Sequence, residues 1–487
     1  MTVQPGITKT RVASVRSAAP GPSRTPDAVP SHLLAEVAAR LPADGPRFCA
    51  SAPGRLDVIG GSAEYAGSLI VNKPIARQAC VAVQRRTDGK LCLVRPREAD
   101  GDGRDAPLIA MASLNGSTSS AAAPDRADSL LGDGSDDAAR CALGTVAAVW
   151  HDFPDAVRES GLSIAYGTAL SSLTDAGAAA AVAAATLVAV AAAYELTLDS
   201  TTAAAICQRV ENDWLGVPVG IGDALCALSG VSNGLGQNYG EPASLNSGLR
   251  LPHEVTLLGI DTGARHPGAA EKYAHVRAAS FMGRTLIDRI VRHEGAKSFT
   301  WDGAVARVPI AAYVECFRDR LPTKLKGCEY LNLFGTLDDP LTTVDPSVIY
   351  RIRSRTEHHI YEHARAVQFV ECLRRLTPPT IDPVLRQAGE LMYASHWSYG
   401  QRCGLGSVET DLLVNLVRQY GREADVYGAK ISGRGCGGVV TVLMGASDRA
   451  REAVDAAIEA YATRTGRTPT LVSGSSDGAL VTGARHL

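Results

Sequence analysis

Residues Gly161–Val190 read GLSIAYGTALSSLTDAGAAAAVAAATLVAV, an apolar strand-like run, a short loop, and an alanine-rich helix with no charge after Asp175. Three readings compete for it. The uncharged span from Ala176 to Tyr194 is long enough to cross a bilayer. Most of it is Ala, however, which gains little on transfer to hydrocarbon, and it has neither an aromatic belt nor a basic flank. A buried helix packed closely on a sheet, where small side chains permit near approach, is the better reading. The third reading, a loop that presents a helix N-terminus to a phosphate, depends on its neighbours.

Working outward, the chain has 487 residues, a formal net charge of −2 and 45% hydrophobic content, enough for two packed domains. With a pI of about 6.6, bulk charge gives no handle for nucleic acid or an anionic membrane, so small-molecule chemistry is expected. The eleven cysteines form no C-x-x-C pair and suit reduced thiols in a cytoplasmic protein. The first thirty residues contain Arg, Ser and Pro without an apolar signal core, and read as a disordered tail.

A helix is expected from Ser31 in SHLLAEVAARL, followed by short β-rich runs RFCASAPGRLDVIGG, SLIVNKPIARQACVAVQRR and KLCLVRP. Residues 97–137, rich in Gly, Asp and Ser, read as a flexible insertion. Helical patterns dominate from about Ser200. Strands return in VTLLGIDTG, GAKISGRGCGGVVTVLMG and TPTLVSGS, and no fixed-period repeat is present.

Three stretches carry chemistry. Ala52–Ile75, APGRLDVIGGSAEYAGSLIVNKPI, sets a Pro-Gly-Arg turn before a strand, a glycine pair and an acid beside Tyr65. Arg209–Gly230, RVENDWLGVPVGIGDALCALSG, places Asp223 after Gly222. From Gly428, GAKISGRGCGGVVTVLMG sets four glycines between apolar runs, as needed where backbone turns sharply or approaches a phosphate. Read singly, these are a Gly-bounded hairpin, a helix cap and a tight turn.

Together, and with GIDTGARHPGAAEKYAHVRAASFMGRTLI, RLPTKLKGCEYLNLFG, DDPLTTVDPSVIYRIRSRTEHHIYEHAR and AGELMYASHWSYGQRCGLGSVETDLLVNLV in the same order, they resemble the GHMP kinases, in particular their galactokinase and L-arabinokinase branch, from about Arg47 to Ala446. The resemblance implies an α+β, two-lobed α/β fold. The N-terminal lobe (31–250) would be ribosomal-S5-domain-2-like with a left-handed βαβ unit, the C-terminal lobe (251–487) ferredoxin-like, and the site would lie in the cleft. It also implies ATP, Mg²⁺ and phosphorylation of a sugar's anomeric hydroxyl. Asp223 then accepts or orients the hydroxyl proton, and Arg55 faces the transferred phosphoryl group. Asp57, Gly61, Glu64, Tyr65, Gly222 and Tyr273 are the implied sugar contacts. Gly61 and Ser62 stand where galactokinases have Glu and His, and Glu64 replaces Asp, which points to a different sugar.

The opening stretch departs most from that pattern. Where these kinases read P-x-G-x-G-L-S-S-S-A, this chain has Ser171 to Ala180, so Leu173 and Asp175 replace loop glycines. Gly177, Ala178 and Ala179 replace serines, and Ala183 replaces a Glu that helps hold Mg²⁺. Thr174, Asp175, Gly177, Ala178, Ala179, Gly433 and Gly435 are the implied phosphate-binding positions, and no metal ligand is retained there. Asp175 would set a negative charge against a polyphosphate, a repulsion of roughly 4 kcal/mol per charge pair at a dielectric of ~20 and ~4 Å. HHIYEH contains His359, Glu362 and His363 in an H-x-x-E-H zinc pattern, but the arabinokinase pattern has a similar run without a metal. The expected activity is therefore a sugar kinase. The alternative is a repurposed fold without a MgATP site, acting on a sugar or sugar phosphate or binding it as a regulator. Oligomeric state is left open.

Overall fold

The computed structural model describes residues 31–94, 108–114, 123–131, 136–157, 160–170, 173, 175–240, 244–295, 299–377 and 381–487. The expected tail, Thr174 and most of the expected insertion lie outside the described residues.

The first lobe is built on strands β1 (Arg47–Ile59), β2 (Leu69–Arg86), β3 (Lys90–Val94), β4 (Leu108–Ala110), β5 (Gly161–Thr168), β6 (Gly234–Tyr239) and β7 (Ser244–Arg250). They run in the order β1-β2-β5-β3-β4, with β6 on the other half of β2 and β7 beyond it. Among the described strands only β3 and β5 pair in parallel, and the helices α2 (Ala123–Leu131) and α3 (Asp137–Asp152) lie in the crossover between them. The helix expected from Ser31 is α1 (Ser31–Ala38), and it packs on β2 and β5.

The alanine-rich run forms α4 (Ala178–Ala193), apolar on every side and almost wholly buried, as a helix without a polar face must be. It lies against β1 and β2 and is enclosed by α3, α5 (Ser200–Trp214) and α6 (Gly222–Ser229). Small side chains let it come close. At Gly54, opposite the start of α4, a Cβ would fall 2.5 Å from the Ala176 carbonyl. The pairing of β1 with β2 shifts register between Pro53 and Arg55, where a proline suits a bulge. The bulge turns the Arg55 N–H out of the ladder to the Ala176 carbonyl at 2.8 Å.

The second lobe carries an antiparallel sheet in the order β9 (Val426–Ile431), β10 (Val439–Gly445), β8 (Val255–Asp261), β11 (Thr470–Val472). Around it lie α7 (Ala269–Glu294), α8 (Ile352–Arg374), α9 (Ile381–Ser398), α10 (Val408–Gly421) and α11 (Asp448–Thr465). The result is a mixed α/β fold of two lobes.

Two expectations need correction. In the described parts of the 97–137 segment, Ile109, Met111, Leu114, Ala127 and Leu131 are buried in the same cluster as α3 and α4, while Leu108, Ala110 and Ser113 are exposed. Those buried apolar residues outweigh the Gly, Asp and Ser that suggested a loop. The division at residue 250 also leaves out the end of the chain. Ala479 joins the first lobe's core, and β12 (Arg485–His486) pairs with β1.

Candidate functional site

The hairpin of β1 and β2 is joined by a 3-10 turn, Gly61–Ala66, whose residues after Gly61 are buried. Facing it, α6 starts at Gly222 and puts Asp223 in its first turn, where the free N–H groups favour a carboxylate. Arg55 reaches across with two parallel hydrogen bonds, Nε to Oδ1 and Nη2 to Oδ2 of Asp223, both 2.6 Å. Such a fork fixes carboxylate orientation as well as charge. Burial works against the Arg55 charge, but Asp223 and Asp175 outweigh it and hold the guanidinium protonated far above its ordinary range.

These residues line a pocket of about 30 Å³ together with Asp57, Gly61, Ser62, Glu64, Asn72, Tyr273, Gly433 and Arg434. Glu64 accepts hydrogen bonds from the Gly222 and Ile221 amides. Burial first, and the Asp223 charge second, push its carboxyl up to about 8, so near neutrality it can both donate and accept.

Asp57 lies on the wall but is committed elsewhere. Its Oδ2 meets Lys430 Nζ at 2.8 Å, with both side chains buried. Gly61 N–H donates to Asp57 Oδ1 at 3.2 Å. Tyr273 is buried edge-on to Tyr65, ring centroids 5.9 Å apart. Tyr65 itself does not line the pocket. Its hydroxyl is bonded to His359 Nε2 at 3.0 Å and its ring lies under Arg277, so it supports the turn from behind.

The altered loop takes an unexpected form. Asp175 adopts φ 61° and turns its carboxylate onto the glycine loop after β9, where Arg434 N–H and Nε both donate to it, the latter at 3.1 Å. Arg55 donates to the Asp175 carbonyl, and its Nη2 is 3.8 Å from Asp175 Oδ1. Gly433, at φ 65°, has to be glycine here, because a Cβ would fall 2.4 Å from Asp175 Oδ2. Leu173 is buried in the core, and Gly177 caps α4 in the left-handed region. Ala178 and Ala179 open the helix with no side-chain oxygen. Gly435 faces the Leu405 carbonyl rather than the pocket.

The HHIYEH run anchors the turn. Gly60 N–H donates to Glu362 Oε1 at 3.2 Å, Leu69 N–H to His363 Nδ1 at 3.1 Å, and Ser62 Oγ lies 3.3 Å from His358 Nε2. His359 and His363 thus face different partners. No group of three or more His, Cys, Asp and Glu that could hold a metal occurs among the described residues.

Residues 160–231 match the GHMP kinases N terminal domain. The chain is 32% identical to L-arabinokinase of Arabidopsis thaliana, over 89% of this chain and 46% of that one. It is 25% identical to galactokinase of Mycobacterium bovis, over 83% and 90%. The chain carries a GHMP kinase N-terminal domain and is a homologue of L-arabinokinase and galactokinase. Lactococcus lactis galactokinase complexed with galactose has a GHMP kinase fold that matches with a TM-score of 0.66 at 16% identity, covering 92% of this chain and 98% of that one; this likeness concerns the fold. The chain spans less than half the length of the arabinokinase relative.

Within the GHMP kinase frame, two residues escaped the sequence reading. Arg434 stands between Gly433 and Gly435, in a motif whose glycines carry the stronger signal. Glu211, in RVENDW, is buried on α5, and its Oε1 has no hydrogen-bond partner among the described residues. Burial first, then Asp223, raise its carboxyl to about 8, against Arg434 and Arg55. An acid twelve positions before Asp223 was the available signal. A lone carboxyl held protonated by burial and flanked by two guanidinium charges does not fit a divalent cation. Ala183, the position implied for a lost metal-holding Glu, is fully buried among apolar side chains.

Proposed function

We propose that this protein is a GHMP-type sugar kinase that transfers the terminal phosphoryl group of ATP to the anomeric hydroxyl of a monosaccharide, L-arabinose or D-galactose in type. The observation that carries this reading is the bidentate Arg55–Asp223 pair at the start of α6, beside the carboxyl of Glu64. The sugar-kinase relatives support it over a repurposed fold.

Asp223 accepts the proton of the attacking hydroxyl as the O–P bond forms, while the bond to the bridging oxygen breaks and ADP leaves with the electron pair. Arg55 orients Asp223 and offers its guanidinium to the developing phosphoryl charge. Glu64 and Tyr273 position the ring. The sugar is the sole small-molecule partner proposed besides ATP.

Asp223→Asn tests the reading. We expect kcat with ATP and the preferred sugar to fall by about 10²–10⁴, with sugar affinity within about threefold, measured by coupled assay and calorimetry. Wild-type kcat in the variant would remove Asp223 from the mechanism. A wild-type protein that transfers no phosphate to any aldose would sink the kinase reading.

A further inference from the structure

The pocket has a polar floor that the groups described so far leave unexplained. Asn72 on β2 and Asn238 on β6 are each 1% exposed. In the β2–β6 ladder Ile70 pairs with Asn238 and Asn72 with Gly236. Directly opposed residues, and alternate residues along one strand, share a face of the sheet. Ile70 and Asn72 both line the pocket; Asn238 does not itself line it but shares that face of the sheet.

Both side chains are short of partners. Asn72 Oδ1 and both polar atoms of the Asn238 amide have none among the described residues. Asn72 Nδ2 reaches only the Gly222 carbonyl, at 3.4 Å. Gly222 also gives the relation to the site: a Cβ there would lie 3.3 Å from Asn238 Oδ1 and 3.0 and 3.3 Å from the two Glu64 carboxyl oxygens. The unsatisfied amides therefore converge on the backbone one residue before Asp223. Buried polar atoms are almost always paired, and an apolar pair would fill a sheet face at lower cost. One such exception on the pocket wall, with a second beside it on the same sheet face, indicates partners that arrive with a ligand.

We infer that Asn72 and Asn238 form a hydroxyl-reading subsite that decides which aldose the pocket accepts. The inference rests on the sugar reading above for the identity of the ligand. An amide offers two donors and an acceptor, and so matches a hydroxyl that both gives and takes a hydrogen bond. A deoxygenated carbon at that place leaves the amide unpaired, which is how a polar site rejects an analogue. Gly61 cannot do this. A Cβ there would fall 2.0 Å from Tyr399 Oη and 2.4 Å from Asp57 Oδ2, so Gly61 lies against occupied space.

The test is calorimetric titration of the full chain, without nucleotide, with L-arabinose, D-galactose and the mono-deoxy analogues of whichever binds better. Wild type, Asn72→Val and Asn238→Leu are compared, with thermal unfolding of each. We expect the preferred sugar to bind each variant about tenfold more weakly, one lost hydrogen bond. One deoxy analogue should lose the same factor with wild type, and the variants should bind it as well as its parent. Their unfolding temperatures should not fall, because orphaned polar atoms have been removed. Unchanged sugar affinity in folded variants, an equal loss for the parent and every analogue, or no sugar binding by wild type would each overturn the inference. If the apolar variants do not fold, Asn238→Asp, which exchanges donor for acceptor at constant shape, must alter the analogue profile, and an unaltered profile counts against the proposal. Sugar binding without phosphorylation would sink the kinase reading alone, whereas phosphorylation with an unaltered sugar profile in the variants would sink only this one.

Discussion

Asp175 is the residue whose meaning changed most between sequence and structure. As a letter it is a charge placed against a phosphate, and in the fold that charge is already held by Arg434 and faced by Arg55. Nucleotide phosphates then compete with an internal anion for the same cations. Asp175→Gly removes that competitor and relieves a non-glycine residue at φ 61°. We expect ATP to bind about tenfold more tightly, a conservative share of the ~4 kcal/mol per charge pair at a dielectric of ~20, with sugar affinity unchanged. Unaltered or weaker ATP binding would show that the pair does not oppose the nucleotide. Glu64 gives a second prediction, because its carboxyl is raised to about 8 by burial. The folded state then holds a proton that the unfolded chain releases near pH 4.5, so stability contributed by this group falls as pH rises from about 4.5 to 8. Glu64→Gln should match wild type in unfolding temperature near pH 4 and exceed it at pH 8.5. Equal temperatures across that range would mean the buried carboxyl is not protonated.

Among the elements, α4 was legible as a buried helix because alanine on every side leaves no polar face. Its capping loop was legible only as a set of losses. The partner gained in exchange, Arg434, lies 259 residues away in sequence, and nothing in local spacing links the two. The same limit applies to α8, whose HHIYEH run has the spacing of a zinc helix but spends its side chains on Gly60, Ser62, Tyr65 and Leu69. Although burial opposes it, Arg365, His358 and Lys430 hold the Glu362 carboxyl down to about 2, as suits an anchor. Ala183→Glu tests how α4 relates to a metal. A carboxylate there is buried without a partner, at a cost of several kcal/mol, so we expect a fall in unfolding temperature of several degrees and no gain in Mg²⁺-dependent ATP affinity. A stable variant with improved ATP binding would return the metal position to α4.

For the whole molecule, the two lobes meet through polar contacts that fix the cleft. Asp57 N–H donates to Ser432 Oγ at 2.8 Å, Thr441 Oγ1 donates to the Asp57 carbonyl at 3.0 Å, and Lys430 ion-pairs with the Asp57 carboxylate beneath the Tyr399 ring. Lys430→Met leaves Asp57 buried and unpaired, at about 3–5 kcal/mol. Asp57→Asn added to it should restore most of that stability, as read by denaturant unfolding. An equal loss in the single and double variants would mean that the pair contributes no coupling.

The sequence by itself, through its resemblance to the GHMP kinases, determined the two-lobed α/β fold and singled out Arg55 on its turn and Asp223 on its helix, whereas their pairing came from the tertiary structure. Those signals are local: glycines, prolines, apolar periodicity and short motifs constrain the backbone within a few residues. Tertiary structure alone decided what balances what. Asp175 against Arg434, Asp57 against Lys430, the return of the last residues to the first lobe, and the unpaired amides of Asn72 and Asn238 all depend on side chains brought together from distant segments. Hydrogen bonding and charge act through space, so their outcome is set only when the fold has placed the partners.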